Sequence, residues 1–260
     1  MRTQQTRVPV SGGGSLWAER AGEGTPVVLL HGAGMDSRLW DMVFPALAGR
    51  HTVVRYDACG LGRSTPPTEP FRDVADLRAV LDHFGLDRAA LVGMSLGGET
   101  ALDFTVAHPD RVAALALVGS SVSGHTWPEA PDLVAYGAAN RERDAGRLAE
   151  LELSIWAPMG VAATGGELIA TMIADNARRR VAGEHGAVHP DQDAVTLLGQ
   201  VTAPTLVVHG DQDHPEIAAI AARLVAGIPG ARGEVVPDAD HYLPLRGPER
   251  LTDLLLAHLP

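Results

Sequence analysis

The chain has 260 residues, 45% apolar and 20% charged, which fits a globular protein long enough to bury a substantial core. Its formal charge of −11 argues against nucleic acid or an anionic membrane as partner, because both present negative charge. All 21 basic residues are Arg, which excludes Schiff-base and lysine-nucleophile chemistry, and the single Cys59 excludes an intrachain disulfide.

Residues 1–16 are polar and Gly-rich, without the apolar core of a signal peptide, and no apolar run approaches the ~20 residues of a membrane span. A cytoplasmic location is therefore expected. Residues 4–10 and 15–20 are expected to be antiparallel edge strands. The apolar runs 27–30 and 52–56 read as buried strands. A helix over 71–84 places Val74, Leu77, Leu81 and Phe84 on one face. A strand at 89–92, a helix over 96–107 stopped by Pro109, and a strand at 113–118 follow. Between 121 and 200 the alternation breaks into helices at 131–140, 144–156 and 166–182. The only basic run, Arg178-Arg179-Arg180, reads as a solvated helix face or helix end. Strands at 205–208 and 234–236, with helices over 217–226 and 250–258, complete the pattern.

Such alternation predicts a three-layer α/β fold with a mostly parallel sheet. Residues 1–120 and 201–260 form its core, and 121–200 form an inserted helical cap over the C-terminal sheet edge, where ligands bind in open α/β folds. Trp127, Tyr136 and Trp156 of the cap either brace it against the core or line an apolar substrate pocket. Gly34 and Met94 are further pocket candidates.

Gly93-Met94-Ser95-Leu96-Gly97 is G-x-S-x-G, preceded by a strand and followed by a helix. A tight turn there forces the serine into an unfavourable backbone conformation and projects its hydroxyl at a helix N-terminus, where negative charge is favoured. Ser95 is the candidate nucleophile. It needs a base and a carboxylate to orient that base, in the chain order Ser, acid, His. His209-Gly210-Asp211-Gln212-Asp213 follows one strand, and Asp238-Ala239-Asp240-His241 follows the next. His241 is the candidate base and Asp213 the candidate acid. Asp211 competes with Asp213, which lies further along the loop and is better placed to reach over the sheet edge. His209, Asp211, Asp213 and His214 could also be read as a metal cluster, but their spacing matches no structural zinc pattern. His31-Gly32-Ala33-Gly34 follows the strand at 27–30 and supplies an oxyanion loop, with the Ala33 and Leu96 amides as donors and Gly34 as a substitute. His31 beside Gly32 reads as a structural hydrogen-bonding group.

Together these stretches resemble the α/β-hydrolase superfamily, specifically its small capped serine esterases, enol-lactonase-like and peroxidase-like members. The resemblance extends to Leu29-Leu30-His31-Gly32 and Asp57-Ala58-Cys59-Gly60-Leu61-Gly62-Arg63-Ser64, and it spans almost the whole chain outside the cap. It implies hydrolysis of a small-molecule carboxylic ester or lactone through an acyl-enzyme, with no metal or organic cofactor. The same fold also supports C–C hydrolase, perhydrolase and lyase chemistry, or ligand binding with a vestigial triad. Serine at the elbow argues against the aspartate-dependent dehalogenases and epoxide hydrolases of this fold. One departure stands out. Cys59 occupies the position where the family's D-x-R-G-x-G-x-S loop carries Arg, so a local ion pair is expected to be missing or replaced, and Cys59 is expected to pack as a thiol.

Overall fold

The computed structural model describes residues 3–11, 13–183, 186–188 and 193–260. β1 (Thr3–Pro9) and β2 (Ser15–Ala21) pair antiparallel, with Thr3 opposite Ala21 and Pro9 opposite Ser15. Then come β3 (Pro26–Leu30), β4 (Thr52–Tyr56), β5 (Ala89–Met94), β6 (Val112–Val118), β7 (Thr205–Gly210) and β8 (Arg232–Val236). They form an eight-stranded sheet in the order β1-β2-β4-β3-β5-β6-β7-β8, parallel from β4 onward.

The continuous apolar strands are explained by burial on both faces. Val28, Leu91, Leu115 and Val207 point into one apolar layer with Leu77 of α2 (Asp73–His83), Phe104 of α3 (Leu96–Ala107) and Ile220 of α7 (Pro215–Gly227). Their sequence neighbours Val27, Val92, Ala116 and Val208 point the other way. They meet Leu47 of α1 (Phe44–Ala48), Leu243 of α8 (Leu243–Arg246) and Leu255 of α9 (Pro248–His258). The period-2 alternation of side chains thus feeds two cores at once.

Three helices are inserted between β6 and β7: α4 (Pro131–Arg141), α5 (Ala145–Trp156) and α6 (Gly166–Ala182). Asp144 caps α5 by accepting from the Arg147 amide. The helices share a small core of Ala139, Leu148, Leu151, Ile155 and Ala177. The helix expected from residue 71 starts at Asp73, because Phe71 instead bridges Ala187 in parallel and its carbonyl accepts from the Val188 amide at 2.7 Å. No described helix is long and apolar enough to cross a membrane.

Candidate active site

β5 ends at Met94, α3 begins at Leu96, and Ser95 between them sits at φ 54°, ψ −121°. A non-glycine residue there is strained, at a cost of roughly 1–3 kcal/mol, and persists only where its surroundings hold it. Here the Ser95 amide donates to the Val118 carbonyl at 3.0 Å, and the Ser95 carbonyl accepts from the Gly98, Glu99 and Ser121 amides. Close approach explains the flanking glycines. A side chain at Gly97 would collide with the His31 and Leu30 carbonyls, and one at Gly32 would fall 2.9 Å from Ser95 Cβ. The elbow and the loop after β3 are therefore packed backbone against backbone.

His241 and Asp213 are brought together at the same sheet edge. His241 Nδ1 lies 3.0 Å from both Asp213 carboxylate oxygens, and the two side chains are only 2% and 1% exposed. Burial pulls the imidazole down, but the Asp213 charge and hydrogen bond outweigh it, so the net shift is upward. With Nδ1–H committed to Asp213, Nε2 is left as the basic face. Gly119, at the end of β6, abuts the pair: a Cβ on it would lie 3.2 Å from both Asp213 Oδ2 and His241 Nδ1. The chain link from Gly119 to Val118, which bonds the Ser95 amide, ties the pair's seat to the elbow.

The neighbouring acids have other partners. Asp211 accepts from the Ala239 amide at 3.4 Å. Asp240 is fully buried against Arg246, whose Nε lies 3.1 Å from both of its oxygens. Arg246 also donates to the Thr164 and Gly160 carbonyls. His209 bonds the Gly210 carbonyl, and His214 caps α7 through the Glu216 amide. Among the described residues no group of three or more His, Cys, Asp or Glu is arranged to hold a metal ion.

Ala33 sits in the turn between Gly32 and Gly34, and Leu96 N–H is one of the first amides of α3, which have no intrahelical partner. His31 braces this loop. Its Nε2 accepts from the Ala58 amide at 2.8 Å, which leaves the proton on Nδ1, 2.9 Å from the Gly32 carbonyl.

The missing loop arginine is replaced from within the same loop. Arg63, four residues after Cys59, donates from Nε to Asp57 at 3.1 Å and from Nη2 to Ser37 Oγ at 2.6 Å, and it lies over the Trp17 ring. Cys59 is buried, and burial together with Asp76 and Asp73 pushes its thiol up to about 12, so it stays protonated.

The inserted helices supply the roof. Trp156 lies against His241 with ring centroids 4.8 Å apart, and Trp127 meets Trp156 edge-on at 6.0 Å. Tyr136 does not stand as a bare aromatic wall. Its hydroxyl bonds the Glu152 carboxylate and accepts from Arg180 Nη1 at 2.7 Å. Met94, expected in the pocket, is instead fully buried in the apolar layer beneath the site, with Val92 and Tyr242. The period of β5 explains this, since Val92 and Met94 share a face. Two polar cap residues escaped the sequence reading, Glu152 and Arg180. Arg178 and Arg179 are exposed as expected of the basic run, whereas Arg180 turns inward. Its signal was the spacing Ile169, Ile173, Asn176, Arg180, one continuous face of α6.

The family model of the alpha/beta hydrolase fold matches residues 25–248. The chain belongs to the α/β-hydrolase family. It is 30% identical over 260 residues to the pimeloyl-[acyl-carrier protein] methyl ester esterase of Chromobacterium violaceum, covering 94% of this chain and 98% of that one. It is 29% identical over 233 residues to the 2-hydroxy-6-oxononadienedioate/2-hydroxy-6-oxononatrienedioate hydrolase of Cupriavidus pinatubonensis, covering 83% and 80%. Among solved structures it is similar to Est816, described as an N-acyl homoserine lactone degrading enzyme, with a TM-score of 0.80, 28% identity and coverage of 98% and 100%.

Proposed function

We propose that this chain is a serine hydrolase that cleaves a small carboxylic ester or lactone through an acyl-enzyme on Ser95. The observation that carries this reading is the sealed His241–Asp213 pair at the sheet edge that also bears the strained Ser95. In this mechanism His241 Nε2 takes the Ser95 proton as Oγ attacks the carbonyl, and Asp213 holds the ring and stabilises its charged form. The Ala33 and Leu96 amides receive the oxyanion. His241 then protonates the leaving alcohol and afterwards activates water, which releases the acid. Trp156 against the imidazole favours the cationic form that appears in both steps.

The test is activity profiling over aryl esters and lactones, paired with a fluorophosphonate probe and mass mapping of the labelled residue. We expect labelling at Ser95, and a loss of turnover in Ser95→Ala of at least ~10³-fold with the fold retained. Retained turnover in that variant sinks the mechanism. Turnover of C–C substrates with none of esters or lactones would move the reading to C–C hydrolysis. No labelling and no turnover would leave a binding protein.

A further inference from the structure

Arg180 turns inward on α6, away from its exposed neighbours. Its side chain is 21% exposed, against 67% for Arg178 two residues earlier on the same helix. Each cap helix contributes one member of its cluster: Tyr136 from α4, Glu152 from α5 and Arg180 from α6. The cluster presses on the oxyanion loop. A Cβ built on Gly34 would stand 3.2 Å from Glu152 Oε1 and 3.4 Å from Arg180 Nη1. A Cβ built on Gly32, two residues back, would stand 2.9 Å from Ser95 Cβ. Two residues of chain span at most about 7 Å, and each built Cβ stands ~1.5 Å off its Cα, so Arg180 Nη1 lies no more than roughly 16 Å from Ser95 Cβ.

The pairing within the cluster is incomplete in a specific way. A structural Arg–carboxylate bridge normally engages both oxygens through parallel N–H bonds. Arg180 Nη1 is instead 3.6 Å from Glu152 Oε2, and the Tyr136 hydroxyl intervenes, accepting from Arg180 and donating to Glu152. Among the described residues Nε and Nη2, the side-on edge of the fork, make no hydrogen bond. Neither nitrogen is both buried and unpartnered, so this edge of a largely covered guanidinium is open to water or a ligand. That edge presents two parallel donors at carboxylate spacing, already oriented by Tyr136.

From this geometry we infer that Arg180 binds a carboxylate at the far end of the substrate's acyl chain, so that the preferred substrates are half-esters of dicarboxylic acids or lactones bearing a carboxylate. The inference rests on the ester or lactone reading above. Tyr136 orients the guanidinium, and Glu152 balances its charge while the site is empty. Burial pushes the Glu152 carboxyl up, with Arg180 opposing. A second carboxylate at Arg180 pushes it further, and the proton Glu152 then takes up keeps the cluster near neutral.

The test compares mono-4-nitrophenyl esters of succinate through suberate with neutral 4-nitrophenyl esters of the same chain lengths. For wild type, kcat/KM for the best half-ester is expected to exceed that of its neutral match. Arg180→Gln is expected to lower this ratio ten- to a hundredfold, the value of a charge-assisted hydrogen-bonded pair. Arg180→Lys should keep part of it, and exposed Arg178→Gln should leave the ratio alone. A wild-type ratio at or below one for every length overturns the inference. So does an Arg180→Gln that slows both ester types equally, which is the mark of a brace and not of a specificity residue. A separate arm needs no turnover: free glutarate and suberate are titrated into Ser95→Ala by calorimetry, with and without Arg180→Gln. Diacid binding that depends on Arg180 supports the inference even if the ester reading fails. Diacid binding that is absent, or indifferent to Arg180, counts against it whatever the esters do.

Discussion

Asp76 is a carboxylate with no hydrogen bond to either oxygen, although it is buried in the first turn of α2. Burial first, and then the nearby Asp73, push its carboxyl up to about 7. The folded chain therefore holds a proton that the unfolded chain has released above an ordinary carboxylate pKa near 4. Its contribution is fully present below that value and is lost as pH rises through about 7. Denaturant titrations at pH 4.5 and 8 should show wild type losing stability across that range. Asp76→Asn should lose less, the difference reaching up to about 3 kcal/mol over this interval. An identical pH dependence for the two proteins refutes the assignment. At this scale the sequence spoke unevenly. Asp213 could be preferred to Asp211 because a position on a loop after a strand is a geometric statement. Arg180 could not be separated from its two neighbours, because adjacent identical residues look like one feature although successive helical residues point about 100° apart.

The helices and loops show the same unevenness for a different reason. Strands buried on both faces appear as unbroken apolar runs, so β3 to β7 were legible almost to the residue. α1 and α8, of five and four residues, are too short to show a period. The cost of missing α8 is functional. It carries Arg246, which clamps Asp240 beside His241 and reaches across to the Thr164 and Gly160 carbonyls ahead of α6. Asp240 in turn accepts from the Met159 and Tyr242 amides. This buried ion pair thus joins the loop that presents the imidazole to the segment that leads into α6. Arg246→Met should cost about 3–5 kcal/mol by stranding the Asp240 charge. Adding Asp240→Asn should return part of that, as a double-mutant cycle in chemical denaturation will show. A single-mutant loss under 1 kcal/mol would contradict this account.

Across the whole molecule, the insertion between β6 and β7 was visible as a break in alternation, and its reading as a cap followed from that break and from where ligands bind in open α/β folds. How the inserted helices are tied to one another was not visible, because the polar contacts among them are long-range. Tyr136, Glu152 and Arg180 are separated by 16 and 44 residues in their pairings, and no local pattern links them. The same holds for Arg63, which takes over the ion pair with Asp57 that the loop's third position usually supplies. In the proposed mechanism the sheet edge holds the reacting groups, and the inserted helices decide what is presented to them.

The contact between Trp156 and His241 also makes the molecule its own reporter. An indole is a fluorophore, and an imidazolium in van der Waals reach quenches it where a neutral imidazole does not. Tryptophan emission should therefore dim as pH falls through the His241 transition, which is shifted upward from the ordinary histidine value. In Trp156→Phe the step should disappear. If His241 is the base, kcat/KM for an ester should rise over the same pH interval in which the wild-type light returns. The charge on a sealed ring would then be readable optically, in the unmodified protein, with no substrate added.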